Sequence, residues 1–193
     1  NVVTTENKKE IEELTKKYKI SDNYNFLKEC FLTSVINSIS NVPNVLLKEH
    51  YRCHPKIIQF SNKKFYNDEL IVLTEDKNEK DVMKAFVTVE GNHARGHFNQ
   101  RQIEVIRDEV LPELNNKISP NQIGIVSPYN DQKNGLIDLK LDEDIKIDTV
   151  HKYQGREKDA IIITTVDNQI SEFVDDPKLL NVAVTRAKKF LRL

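Results

Sequence analysis

The sequence has no Gly-x-x-x-x-Gly-Lys-Ser/Thr string anywhere in its 193 residues. The nearest spacing, Gly91 and Gly96, runs into His97 and Phe98, so it lacks the phosphate-binding lysine and the magnesium-holding hydroxyl. The chain therefore lacks what a P-loop ATPase needs to hold phosphates and metal by itself. Asp167-Asn168, at the end of an apolar run, is not a magnesium site without a P-loop. No stretch approaches the ~20 apolar residues of a membrane span, and no secretory signal is visible. With only two cysteines, Cys30 and Cys53, a reducing, intracellular setting is expected and a disulfide is poorly motivated. These cysteines with His54, or His93 with His97, do not supply the roughly four spaced ligands of a zinc site. Glu157-Lys158-Asp159 has the wrong order for a PD-(D/E)xK nuclease. A net charge of −1 argues against a basic nucleic-acid coat protein, but leaves room for a few local phosphate contacts.

What is present fits a polar-surfaced globular protein, 38% hydrophobic and 31% charged, long enough for one cored domain with or without an arm. Residues 1–24 are rich in Lys and Glu, with helical spacing at Ile11, Leu14 and Tyr18. Residues 26–39 read as an amphipathic helix with Phe26, Cys30, Val35 and Ile39 near one face. A strand is expected at 44–47, and Pro55 suits the first turn of a helix running to about Tyr66. After a charged loop at 75–81 come a strand at 85–90, a turn at 91–96, and a helix capped by Asn99. Ile103, Ile106, Val110 and Leu114 give that helix its apolar face.

Further on, strands are expected at 122–126, 146–150 and 160–166, with helices at 129–139 and 178–189 and a last strand from Phe190. Strands alternating with helices predict an α/β fold, a parallel sheet covered by helices on both faces.

Three segments carry chemistry. Residues 147–165 join an apolar strand, a polar turn at Gln154-Gly155-Arg156-Glu157, and an unbroken Ile/Thr strand. That turn lies at the lip of the sheet, where α/β proteins hold ligands. Residues 49–55 (EHYRCHP) and 180–189 (LNVAVTRAKK) each deliver an arginine from an otherwise structural stretch.

In this order the segments resemble the second motor domain of superfamily 1 helicases, in the 1B branch that contains the nonsense-mediated decay helicase. The family strings read roughly Q-Y-R-M-H-P, T-P-Y with a Gln soon after, Q-G-R-E-K-D and N-V-A-L-T-R-A. Here they are residues 50–55, Ser127-Pro128-Tyr129 with Gln132, residues 154–159, and residues 181–187. The resemblance covers about 45–193 and implies a RecA-like domain. It divides the chain into a helical arm or linker at 1–43 and the motor domain at 44–193. The P-loop and metal site would then lie in a first motor domain upstream. Asn1-Val2-Val3 looks like the tail of the motif that ends it.

By this resemblance Arg52 and Arg186 reach the γ-phosphate of ATP across the interdomain cleft. A planar guanidinium that binds two oxygens suits the charge that phosphoryl transfer builds there. Gln154, Gly155 and Glu157 would sit beside the nucleotide, with Gly155 free to take a positive φ that lets a ligand approach the backbone. Ser127, Pro128, Tyr129, Thr149 and His151 would face a single strand, through hydroxyls and amides that touch phosphates without reading bases. Ser127 keeps the hydroxyl of the family Thr, whereas His151 departs from the family pattern. An ordinary polar turn would read the same way at 154–159, and Ser-Pro-Tyr-Asn is also a good helix start.

The function implied is the C-terminal motor domain of an ATP-dependent helicase using ATP and Mg²⁺. Its partners would be single-stranded nucleic acid, with DNA favoured over RNA, and the first motor domain of the same chain, with no membrane. A catalytically idle helicase-like module that binds nucleic acid or protein is the alternative. Intact Arg52, Glu157 and Arg186 argue against it.

Overall fold

The computed structural model describes residues 5–25, 27–89, 94–169 and 175–193. Asn1-Val2-Val3, Phe26 and the first part of the 91–96 turn lie outside these residues. The chain forms two compact units, residues 1–47 and 48–193.

The first unit holds α1 (Thr5–Lys17) and α2 (Phe31–Ser38). The second helix starts five residues later than the apolar spacing suggests. Asn25 captures the preceding chain in a local turn, its side chain accepting from Leu27 N–H at 3.1 Å. Cys30 is extended at φ −92° and caps α2 from outside.

In the second unit, β1 (Glu49–His50) pairs in parallel with β2 (Ile71–Val72), on either side of α3 (Pro55–Phe65). The strand expected at 44–47 is not formed. Among the described residues, 44–47 have no pairing partner, and the ladder with β2 begins only at Glu49. Next come β3 (Met83–Lys84) and a hairpin of β4 (Ala94–Arg95) and β5 (Phe98–Asn99). The expected strand at 85–90 lies earlier, at 83–84, because the edge pairing with the last strand is registered there.

Asn99 caps α4 (Gln100–Val105) by accepting from Gln102 N–H at 3.1 Å. The helix widens into a π turn at Ile106–Val110 before α5 (Leu111–Asn115). Pro112 cannot donate to the carbonyl of residue 108 and its ring crowds it, which the wider turn relieves. Then follow β6 (Ile123–Ser127), α6 (Asn130–Asp138), β7 (Lys146–Thr149), β8 (Lys158–Ile163), α7 (Pro177–Val184) and β9 (Ala187–Arg192).

The main sheet runs β3-β9-β8-β6-β7, and every pairing in it is parallel. A fully parallel sheet needs both faces covered, and the strands show how. Ile161 and Ile163 join Ile57, Ile58, Ala183 and Val184 under α3 and α7. Ala160 and Ile162 join Ile103, Val110, Leu114 and Leu136 under α4–α6. This RecA-like α/β arrangement is the fold class the sequence predicts.

The chain leaves β6 toward β7 on one side, whereas β8 leads to β9 on the other. The carboxyl ends of β6 and β8 therefore flank the point where the winding reverses. From β7 to β8 there is no helix: residues 150–157 descend along the sheet, and Tyr153 is fully buried over Gly124.

Arg192, fully buried at the end of β9, pairs with Glu113 at 2.8 Å. Burial alone would raise that carboxyl. Hydrogen bonds from Lys84, Arg192 and Lys117 outweigh it and bring the pKa down to about 2. Both cysteines are free thiols. Among the described residues no helix is long and apolar enough to cross a membrane.

Candidate functional site

Three loops meet at the amino ends of β8 and β9. Arg52 comes from the β1–α3 loop, Glu157 from the residue before β8, and Arg186 from the α7–β9 link. The helix expected to run to Lys189 stops at Val184. Thr185 caps it by turning its hydroxyl back onto Asn181 O at 2.7 Å. Ala187–Lys189 then pair with β8, so Arg186 occupies a turn and Lys189 a strand.

Glu157 is the hub. Lys188 Nζ lies 2.7 Å from one carboxylate oxygen and Arg52 approaches the other at 3.7 Å. The Lys188 hydrogen bond, partly opposed by burial and aided by the charges of Lys188, Arg52 and Arg186, holds the Glu157 carboxyl below its usual range. Arg186 is anchored at its root, with Nε donating to Val182 O at 3.1 Å and Nη2 to Thr185 Oγ1 at 3.2 Å. Burial and then the charge of Arg52 lower its pKa. Arg52 is half-buried, and its Nε is buried with no hydrogen-bond partner among the described residues. Two guanidiniums repelling each other, one with an unmet donor, form a site that gains from an anion.

The backbone stitches these loops together. His54 N–H donates to Lys188 O at 2.7 Å, Lys158 N–H to Arg186 O at 3.1 Å, and Cys53 Sγ–H to Thr185 O at 3.4 Å. A bulge between Lys158 and Ala160 shifts the β8–β9 register beside the site. Gly155 takes φ +81° with open space on its Cβ side, and Gln154 and Arg156 are exposed next to it. An open recess is lined by Glu49, His50, Tyr51, Arg52, Glu157 and Lys188.

The other expected residues sit at the opposite edge, the carboxyl ends of β6 and β7. The Gln-Gly-Arg-Glu turn is thus not at the carboxyl lip: residues 150–157 start there and carry it to the amino edge. Ser127 is fully buried, its hydroxyl donating to Tyr129 O at 3.0 Å and accepting from Tyr129 N–H at 3.1 Å. Its hydroxyl is spent on the turn. Pro128 is half-buried, Thr149 is buried and His151 is exposed. Tyr129 donates from its hydroxyl to Asp167 Oδ2 at 2.9 Å.

Lys188 and His50 belong to the arginine site but were not visible as site residues. Lys188 was hidden by the overlong helix. His50 replaces the family Gln, and its Nε2 accepts from Cys53 N–H at 2.9 Å, which shapes the loop that carries Arg52. His54, Asp76 and Glu79 also gather within metal-binding distance. His54 Nδ1 accepts from Lys56 N–H at 3.1 Å, which leaves Nε2 to donate toward both carboxylates at 3.3 Å. Lys56 also neutralises Asp76 at 3.0 Å. That arrangement is complete as a helix cap.

Residues 27–193 match the family described as the AAA domain. The chain is 32% identical over 174 residues to an uncharacterized ATP-dependent helicase of Methanocaldococcus jannaschii, covering 77% of this chain and 26% of that protein. It is 31% identical over 169 residues to the regulator of nonsense transcripts 1 homolog of Drosophila melanogaster, covering 74% of this chain and 14% of that one. The chain thus spans about a quarter or less of the length of these curated relatives. In fold it is like the C-terminal domain of a possible DNA helicase from Lactobacillus plantarum WCFS1. The TM-score is 0.52 at 16% identity, over 74% of this chain and 85% of that one.

Proposed function

The chain belongs to the AAA-domain family, on its superfamily 1B helicase-like branch, and from that premise we propose that it is the C-terminal motor domain of an ATP-dependent helicase. The observation that carries the proposal is the convergence of Arg52 and Arg186 on Glu157, with a buried guanidinium nitrogen left unpartnered. In this reading both arginines bind the γ-phosphate oxygens and offset the charge that grows on them during transfer to water. Glu157 orients Arg52, and Lys188 keeps Glu157 ionised. Gly155 and Gln154 approach the nucleotide from the side.

ATP fits these residues as an anion. Mg²⁺ does not fit here, because Glu157 is committed to Lys188 and Arg52, and Glu49, the other carboxylate lining the recess, accepts from the Tyr51 hydroxyl. We assign phosphate cradle and metal to a first motor domain of the same protein. Residues 44–193 form the motor domain and 1–43 the arm leading to it. Pro128, Tyr129, Thr149 and His151, with Ser127 shaping their turn, face the single strand. We place DNA ahead of RNA, and competition between matched strands decides the order.

The isolated 193-residue chain tests this reading. With magnesium and single-stranded DNA it should release phosphate only at background and bind strands weakly, with strong salt dependence. Turnover that survives repurification, or nanomolar binding insensitive to salt, would contradict the half-motor assignment.

A further inference from the structure

At the carboxyl edge of the sheet the β4–β5 hairpin brings a second ring against Tyr129. Gly96, at φ +59°, opens its two-residue turn, and the next residue, His97, is exposed. The His97 and Tyr129 rings lie 4.2 Å apart and 7° from parallel. They form a short stack beside the point where the strand winding reverses.

The hairpin is fastened by a buried polar network. Asn99 N–H donates to Gln132 Oε1 at 2.8 Å, and Asn99 Nδ2 to Val166 O at 2.9 Å. Gln132 Nε2 donates to Thr164 Oγ1 at 3.0 Å, and Val166 N–H to Gln102 Oε1 at 2.9 Å. Phe98 is pressed so closely on α6 that a Cβ on Gly135 would come within 2.3 Å of its ring. Val166 itself holds φ +67°, a backbone region costly for a β-branched residue. Strain of this kind persists only where the surroundings over-determine it, and it clusters at ligand sites. A stack on so rigid a mount loses little entropy when a third ring is added.

We propose that His97 is a base-stacking step: one nucleobase of the bound single strand continues the Tyr129–His97 stack. This rests on the strand-facing reading of the carboxyl edge and adds to it a residue outside the helicase motif strings. Shape favours a base rather than a phosphate here, because the exposed His97 ring lies parallel to Tyr129 and offers a flat face. Stacking is indifferent to sequence, because every base has a π face, and this suits a protein that moves along a strand.

The test uses the full-length protein and single-stranded oligonucleotides carrying 2-aminopurine at each position in turn. In the parent, one position should show the fluorescence change of a stacked base. His97→Ala should erase that signal and weaken strand binding by roughly 5- to 150-fold, the scale of one base–aromatic stack. His97→Phe should retain both, and all three proteins should melt alike, since His97 is exposed at a turn. If His97→Ala matched the parent at every position and in affinity, the stacking step would be overturned while the strand-facing edge stood. If the parent bound no single strand at all, both would fall.

Discussion

Arg52 and Arg186 are held differently, and the difference matters for how each is tuned. Arg186 is tied to its own helix end, whereas Arg52 depends on a loop that His50 shapes by accepting from Cys53 N–H. Burial first, and then the charge of Arg52, push the His50 pKa below 6.5. The folded loop therefore favours neutral imidazole. Its contribution is intact above about pH 6.5 and is lost as pH falls toward the lowered folded value, since protonation removes the acceptor. In the full-length protein, ATP turnover should hold through pH 6.5 and drop only as pH falls through the lowered pKa of the folded His50. His50→Gln, whose amide oxygen accepts without titrating, should flatten that acid limb. Parallel losses in parent and variant would show that another group titrates. Arg52, Glu157 and Arg186 could be named from the sequence because motif strings carry them. His50 could not, because its role depends on a loop closure visible only in three dimensions.

At the scale of elements, the chain descends from β7 to β8 without a helix, through the polar turn expected there. Residues 150–157 take the place of a crossover helix, and Tyr153 fills the space over the sheet that a helix would fill. Gly124 makes this possible: a Cβ there would lie 2.0 Å from Tyr153 Oη and 2.9 Å from Ile161 Cδ1. The Tyr153 hydroxyl is buried without a hydrogen-bond partner, and burial raises its pKa to about 12. Gly124→Ala should destabilise the protein by about 1–3 kcal/mol, the usual range for overpacking. Tyr153→Phe should be neutral or stabilising, because it removes an unmet polar group. Urea unfolding of the two single variants and the double variant measures the coupling. Full additivity would mean the two positions do not share the space.

The main helices and strands β6 to β9 were legible in existence, whereas their ends were not. Asn99 and Pro55 mark their helix starts by chemistry that any context would use. The end of α7 was misread because Ala187-Lys188-Lys189 suit a helix equally well, and the β8 ladder decides for a strand. The β4–β5 hairpin escaped notice because two-residue strands leave no periodicity to count. The network of Asn99, Gln102, Gln132 and Thr164 unites residues up to 65 positions apart, beyond what spacing can reveal.

At the scale of the 48–193 unit, two groups of residues lie at opposite edges of one sheet. The amino ends of β8 and β9 gather Arg52, Glu157, Arg186 and Lys188, while the carboxyl ends of β6 and β7 carry Tyr129, Thr149 and His151. The 150–157 segment starts at the carboxyl end of β7 and finishes as the Glu157 turn. Val150 and Tyr153 are buried along it.

The most direct test of the central claim is ATP turnover by Arg186→Ala in the full-length protein, measured beside nucleotide binding. Binding should be largely kept, since the ground state is held elsewhere, while turnover should fall by roughly 10³-fold or more, the scale of an arginine finger. Arg52→Ala should behave alike, and Arg186→Lys should not restore turnover, because a point charge cannot reproduce the two-oxygen fork. Lys189→Ala, which removes only an exposed pair with Asp159 at 2.8 Å, should turn over ATP near the parent rate. Parent-level turnover in both arginine-to-alanine variants would contradict the account, even with the fold correct.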